Sequence, residues 1–282
     1  MTLEAVADLL ACPTCADRDQ RPDSPLAPDG PTLRCPQGHA YDVARQGHVN
    51  LLGRAVPRNA DSPAMVAARE RFLGSGAYDR VADALTAAAL RTPAEAPAVL
   101  DVGSGPGWYL DRVLAGLAAG GRSGRGVALD VSPAAARRAA RGRSDVGAVV
   151  ADAWGRLPLR SGGLDVALSV FAPRQPAELA RVLAPGGTAV VVSPLPEHLA
   201  GLREAWGLLD VEPGKQERLS ATFREHLRAV DEVDVRYAVA LDAATLTDLV
   251  AMGPNAFHHE ADAHADAPGT VEVAVRVSSW RR

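Results

Sequence analysis

From Ala96 onward, short apolar runs alternate with amphipathic stretches. Ala98-Val-Leu-Asp-Val102 is an apolar run that stops at glycine; Gly126–Asp130, Val146–Ala151, Leu164–Val170 and Gly187–Val192 repeat the pattern. Between them, Tyr109–Ala119, Ala134–Arg141 and Ala177–Leu183 place apolar residues at helical spacing. Strand-length runs separated by helical segments predict βαβ units, and so a parallel sheet covered by helices. Beyond Pro196 the pattern predicts a long helical stretch, a strand over Val233–Ala240, a helix over Ala243–Met252 and a closing strand over Val271–Val277.

The chain before Ala96 reads differently. Residues 1–54 are rich in Cys, Pro and Asp with little helical periodicity, and Asp17–Pro31 is a polar loop. Residues 55–95 predict two helices. Ser62-Pro63 supplies an N-cap followed by a first-turn proline, Met65, Phe72 and Leu73 recur at helical spacing, and Gly74 and Gly76 end that helix before Tyr78–Leu90 begins another. Three regions are expected: a module over 1–54, a helical linker over 55–95 and an α/β domain over 96–282. No internal repeat is visible.

Composition narrows the function. A net charge of −4 argues against a protein that coats nucleic acid, although a local basic patch remains compatible. No uncharged apolar run reaches membrane-spanning length, and no signal-peptide pattern opens the chain. The 3 cysteines cluster near the N-terminus, which does not resemble a disulfide framework. A reducing, cytoplasmic setting without membrane association is expected. Lys215 is the sole lysine among 30 basic residues; the remainder are arginines, suited to bidentate contacts with phosphate and guanine.

Two constellations carry chemistry. Asp101-Val-Gly103-Ser-Gly105-Pro-Gly107 closes the first strand of the α/β region, where glycines allow a tight turn and close ligand approach. Trp108 stands where a dinucleotide fingerprint requires its last glycine. Asp130 ends the next strand, where a carboxylate can accept both ribose hydroxyls. Asp152 follows the third, where one can take an adenine amino group, and Asp101 either holds the loop or reaches a methionine amine. This ordered set resembles the Rossmann-like S-adenosylmethionine-dependent methyltransferases; the competing reading is a glycine turn with helix-capping acids in another α/β enzyme. The second constellation is Cys12-Pro-Thr-Cys15 with Cys35-Pro-Gln-Gly-His39, a closed Cys3His set suited to structural zinc. Its rival is three free thiols and an unrelated histidine.

After the zinc pattern comes Ala40-Tyr-Asp42-Val-Ala-Arg45-Gln-Gly47-His-Val-Asn50-Leu-Leu52. Arg69-x-x-Phe72-Leu73-x-x-Gly76-x-Tyr78, Phe171-Ala-Pro-Arg174 and Met252-Gly-Pro254-Asn-Ala256-Phe-His258 follow in order. Together these motifs span nearly the whole chain. They resemble the bacterial rRNA guanine-N1 methyltransferases that act on the helix 35 hairpin of 23S rRNA, a family that includes macrolide-resistance enzymes. The resemblance implies zinc on Cys12, Cys15, Cys35 and His39, and S-adenosylmethionine beside Tyr78, Tyr109, Leu110 and His198 as well as the glycine loop. It also implies homodimers whose zinc modules frame an RNA cleft.

Methyl transfer from a sulfonium has a good leaving group, so positioning can supply most of the catalysis. The guanine N1 proton must also leave. His198, His258 and Arg174 are the candidate catalytic residues, with structural or binding roles as the alternative for the histidines. All three cysteines are claimed by zinc, which argues against a cysteine nucleophile and pyrimidine C5 chemistry. Between Arg34 and Arg71 arginines outnumber acids six to three, and Arg45, Arg54, Arg58 and Arg69 are candidate phosphate contacts. Tyr41 and His48 either stack on unpaired bases or pack in a small local core. Two rivals stand beside RNA methylation: a methyltransferase for a small molecule such as a macrolide or quinone, and a non-catalytic RNA-binding protein that keeps the fold.

Overall fold

The computed structural model describes residues 2–208, 214–253 and 269–282. Near the N-terminus, α1 (Pro13–Asp17) precedes a small antiparallel sheet of β1 (Ala27–Asp29), β2 (Thr32–Arg34) and β3 (Ala40–Asp42). The main sheet then starts with β4 (Val49–Asn50). Two helices follow, α2 (Pro63–Gly74) and α3 (Asp79–Ala89). Next come β5 (Ala98–Val102), α4 (Trp108–Ala119), β6 (Arg125–Asp130), α5 (Pro133–Ala139), β7 (Val146–Val150), β8 (Leu164–Val170), α6 (Pro176–Val182) and β9 (Leu183–Pro194). The chain closes with α7 (Ala200–Trp206), α8 (Lys215–Arg224), β10 (Arg228–Leu241), α9 (Ala243–Ala251) and β11 (Gly269–Arg281).

The main sheet runs β10-β11-β9-β8-β5-β6-β7-β4. From β9 to β4 its neighbours are parallel. β11 is antiparallel to both β9 and β10, so the sheet is mixed rather than wholly parallel as the βαβ rhythm predicts. Every residue of β5 and β7 is buried, as expected for strands covered on both faces. β10, at the edge, is exposed or half-exposed up to Leu241 and carries Asp231, Glu232, Asp234 and Arg236, charges that discourage pairing with another chain. The expected long helical stretch after Pro196 is divided, because Gly207 at φ +61° ends α7. No helix among the described residues is long and apolar enough to cross a membrane.

The zinc-pattern region does not form an isolated bead. Leu26, Leu33, Cys12 and Cys15 belong to the same core cluster as Val127, Leu129 and Val149 of the sheet. Leu3 and Val6, ahead of the first cysteine, press onto β7. A Cβ on Gly147 would lie 2.1 Å from the Val6 Cγ2, so a glycine is what lets this segment seat on the strand. Residues 49–50 then join β7 in parallel. Two residues are too few to show strand periodicity, which is why the sequence pattern does not predict β4.

Candidate functional site

The metal ligands converge from a helix start and a hairpin. Cys12 is the N-cap of α1, and its Sγ accepts the Cys15 N–H at 3.4 Å. The hairpin β2–β3 returns Cys35 and His39 to the same point. His39 Nδ1 lies 3.6, 3.3 and 3.4 Å from the sulfurs of Cys12, Cys15 and Cys35, and Cys15 Sγ lies 3.5 Å from Cys35 Sγ. All four ligand atoms fall within 4.8 Å of one another. A tetrahedral zinc with ordinary Zn–S and Zn–N bonds has ligand–ligand edges of about 3.4–3.8 Å, so the donor set fits. Burial pushes the Cys15 thiol up to about 12; a cation is what would hold it as thiolate. Tyr41 is explained by this centre rather than by base stacking. Its hydroxyl lies 3.1 Å from Cys12 Sγ and 2.8 Å from Thr14 Oγ1. His48 is half-buried with Nδ1 unpartnered among the described residues.

The second site lies where the strand order turns, at the carboxyl end of β5 between β6 and β8, the position at which open α/β sheets bind ligands. Gly103 has φ +67°, and a Cβ there would sit 2.6 Å from that of Ala172 in the turn after β8. Only glycine lets the two loops meet this closely. Asp101 is fully enclosed at the loop's base, and burial pushes its carboxyl up to about 8. It accepts the Leu110 backbone N–H, while its Oδ2 has no partner among the described residues. Asp130 accepts Gly105 N–H at 2.8 Å and Ser132 N–H at 2.8 Å, bracing the loop from β6. Burial raises the Asp130 carboxyl, and Asp61 adds to the effect.

Around this loop the sequence-expected residues divide. Tyr78, at the start of α3, is buried and hydrogen-bonded to His198 at 3.2 Å. His198 Nδ1 accepts the Ala274 N–H at 3.2 Å, so Nε2 carries the ring proton and donates it to Tyr78. Burial, with Arg203 nearby, holds the ring down to about 4, hence neutral. Both nitrogens are engaged, which leaves His198 no free lone pair to act as base. Its ring stacks on Phe171, centroids 5.6 Å apart. Phe171 and Leu199 adopt φ +52° and +54°, strained values of the kind that collect at ligand sites. Tyr109 is buried beside Trp108 on α4, behind Gly107. Leu110 packs its side chain under Gly126 in the core and turns its backbone N–H to Asp101. His258 and the surrounding motif Pro254–His258 lie outside the described residues.

The arginines also divide. Arg45 and Arg58 are exposed. Arg54 is exposed but paired with Asp152, whose other oxygen accepts the Trp154 N–H at 2.9 Å. Arg69 is not a surface cation. It points inward, bonded to Asp61 and to the Met252 carbonyl. Arg174 is largely buried, its Nη1 is unpartnered among the described residues, and desolvation lowers it to about 10. Trp154, 67% exposed on the loop after β7, escaped the sequence reading because a lone tryptophan has no periodic signal. It lines a cavity of about 290 Å³ together with Arg54, Arg156, Pro13 and Leu52, so the zinc centre and the sheet's carboxyl edge share one cleft.

A covered sheet with a glycine loop at this edge, an acid ending β6 and another just after β7, and a closed Cys3His centre beside them defines an S-adenosylmethionine-dependent methyltransferase with a zinc ribbon. Family models agree: one described as "RlmA, N-terminal", a zinc ribbon, matches residues 10–54, and one described as "Methyltransferase domain" matches residues 99–187. The chain is 43% identical to the 23S rRNA (guanine(748)-N(1))-methyltransferase of Streptomyces fradiae, covering 97% of this chain and 96% of that one. It is 39% identical to a provisionally named 23S rRNA (guanine-N1)-methyltransferase of Micromonospora griseorubida, covering 96% and 97%. Among solved structures, the complex of the Haloferax volcanii Trm112 activator with its provisionally assigned methyltransferase aligns over 78% of this chain and 97% of that one. Its TM-score is 0.51 at 19% identity, a likeness of fold alone. The chain belongs to the 23S rRNA (guanine-N1)-methyltransferase family. Its cofactors are S-adenosylmethionine and zinc.

Proposed function

We propose that this enzyme methylates N1 of a guanine in a hairpin loop of 23S rRNA. The observation that carries the reading is the shared cleft, in which side chains next to the zinc centre and the loop after β7 face one space. A small-molecule enzyme has little use for that arrangement. A hairpin loop can present an unpaired base edge to the sheet while its backbone crosses the module. Arg45, Arg54 and Arg58 are suited to phosphate contacts there, Arg54 by exchanging Asp152 for phosphate.

In the same reading the Gly103–Gly107 loop, Asp101, Asp130, Asp152, Tyr78, Tyr109 and His198 form the cofactor pocket, and Cys12, Cys15, Cys35 and His39 hold zinc. The orphaned Asp101 Oδ2 and the glycine cradle are features that fit the cofactor's amino-acid end. The bound cofactor supplies an electrophilic methyl group. As guanine N1 loses its proton to water, negative charge moves onto the base. The unpaired Arg174 guanidinium, in the turn against Gly103, is suited to receive it. In the cell the reading implies a cytoplasmic homodimer acting on rRNA and lowering macrolide sensitivity.

N1 methylation blocks the Watson–Crick edge. Purified enzyme with cofactor should therefore create one reverse-transcriptase stop in 23S rRNA, supplied either as free RNA or as ribosomal subunits. No stop on either substrate, together with methyl transfer to an extracted metabolite, would move the small-molecule reading to first place.

A further inference from the structure

Arg69 sits in the segment between the two family-model matches, which end at residue 54 and resume at 99. It projects from α2 onto the glycine loop. Its Cδ and Nη1 each lie 3.2 Å from where a Cβ on Gly105 would stand, so the arginine side chain rests closely against the loop. Its Nη2 donates to the Met252 carbonyl at 2.6 Å and pairs with Asp61 Oδ2 at 2.8 Å. Asp61 is itself anchored, since its carbonyl accepts the Ser132 hydroxyl at 2.6 Å. Two partners thus fix one side of the guanidinium, and the other side faces the loop with the Arg69 side chain only 26% exposed. A cation placed for RNA would project outward as Arg45 and Arg58 do.

The amino-acid end of S-adenosylmethionine is a zwitterion. The loop already offers a buried carboxyl with an unpartnered oxygen, Asp101, which an arriving ammonium would favour in its ionised form. We infer that Arg69 supplies the opposite sign: it binds the carboxylate of the cofactor's methionine end, which rests on the cofactor placement proposed above. Asp61 and the Met252 carbonyl orient the guanidinium, so its donors are aimed before the cofactor arrives and little side-chain freedom is lost on binding. The carboxylate–guanidinium contact is charge-assisted and partly shielded from water.

The test is a binding cycle on the full-length, zinc-loaded protein by calorimetry. The ligands are S-adenosylmethionine and its decarboxylated analogue, which keeps the ammonium and lacks only the carboxylate. Wild type should bind the analogue roughly 10- to 100-fold more weakly, the range for a hydrogen bond between charged groups. Arg69→Met should lose a similar factor for S-adenosylmethionine and nothing further for the analogue. Arg69→Lys, which keeps the charge, should recover part of the loss for S-adenosylmethionine alone. Affinity for the rRNA hairpin should not change in either variant. Equal binding of both ligands by wild type overturns the inference without any variant. Losses that multiply also overturn it, since they assign Arg69 a purely structural part. If Asp130→Ala leaves both affinities unchanged, the cofactor placement itself fails, and the inference with it.

Discussion

The zinc centre and the glycine-loop site use buried polar groups in opposite ways. In the zinc centre the polar atoms face one another: three sulfurs and one imidazole nitrogen close on a point, with Tyr41 against Cys12 and Gln37 against Cys15 from outside, and Thr14 holding the Tyr41 hydroxyl. Such a centre has no use for a substrate; its chemistry is finished once the ion is in place. At the glycine loop the polar atoms are left open. Asp101 keeps one oxygen unpartnered and Arg174 one amino group, each enclosed by protein. Unpaired buried groups cost stability, and the fold around them must carry that cost from its large apolar core. The difference separates a centre that holds the chain together from a pocket that the chain holds open for ligands.

The largest effect should come from opening the closed centre. Cys15→Ser removes a buried ligand, and structural zinc typically contributes on the order of 10 kcal/mol to the segment it organises. Metal content should fall from one zinc per chain toward none, and amides of residues 10–45 should lose hydrogen-exchange protection while β5, β6 and β8 keep theirs. A variant with full exchange protection and no zinc would break the comparison.

Next is the seam between the two regions. Gly147→Ala would force a Cβ into the space of Val6 and should destabilise the protein by about 1–3 kcal/mol, the usual cost of overpacking. Zinc stoichiometry should stay at one, because the ligands do not touch Gly147. Loss of zinc in this variant would show that the centre depends on the sheet rather than closing by itself.

The prediction that bears most sharply on the open site concerns Asp101. Its carboxyl is raised to about 8 when folded, from an ordinary value of 3.8. A raised group contributes stability that is fully present below the unfolded value and is lost as pH rises through the folded one. The cofactor-free protein should therefore lose stability between about pH 4 and pH 8 on account of this group. Asp101→Asn should flatten that slope, so that its urea midpoint at pH 8 exceeds that of wild type, while its affinity for S-adenosylmethionine falls. Parallel slopes for the two proteins would mean that Asp101 is not held protonated in the empty pocket.

Much of this was legible in one dimension. Cysteine spacing marks the zinc ligands because a knuckle and a hairpin are local structures. The glycine run and the acids ending successive strands mark the pocket because strands in a βαβ sheet deliver their carboxyl ends to one edge. Less legible were features that depend on partners far away in the chain. Trp154 and β4 lack any repeating pattern. The antiparallel β10 and β11 read as strands, but their direction is fixed only by docking on β9.

The arginines show the boundary most clearly. Residue type established that Arg45, Arg54, Arg58 and Arg69 are permanent cations, and their clustering suggested one shared role. Tertiary structure assigned them different ones. Arg45 and Arg58 face solvent, Arg54 pairs with Asp152, and Arg69 turns inward to a carbonyl 183 positions away. A guanidinium on a long flexible stem meets whichever acceptor the packed helices bring within reach. The sequence therefore determined which ligands, glycines and charges this protein has. Only the packing of α2 against α9 decided which arginine would turn inward beside the glycine loop, because that contact joins segments no local pattern connects.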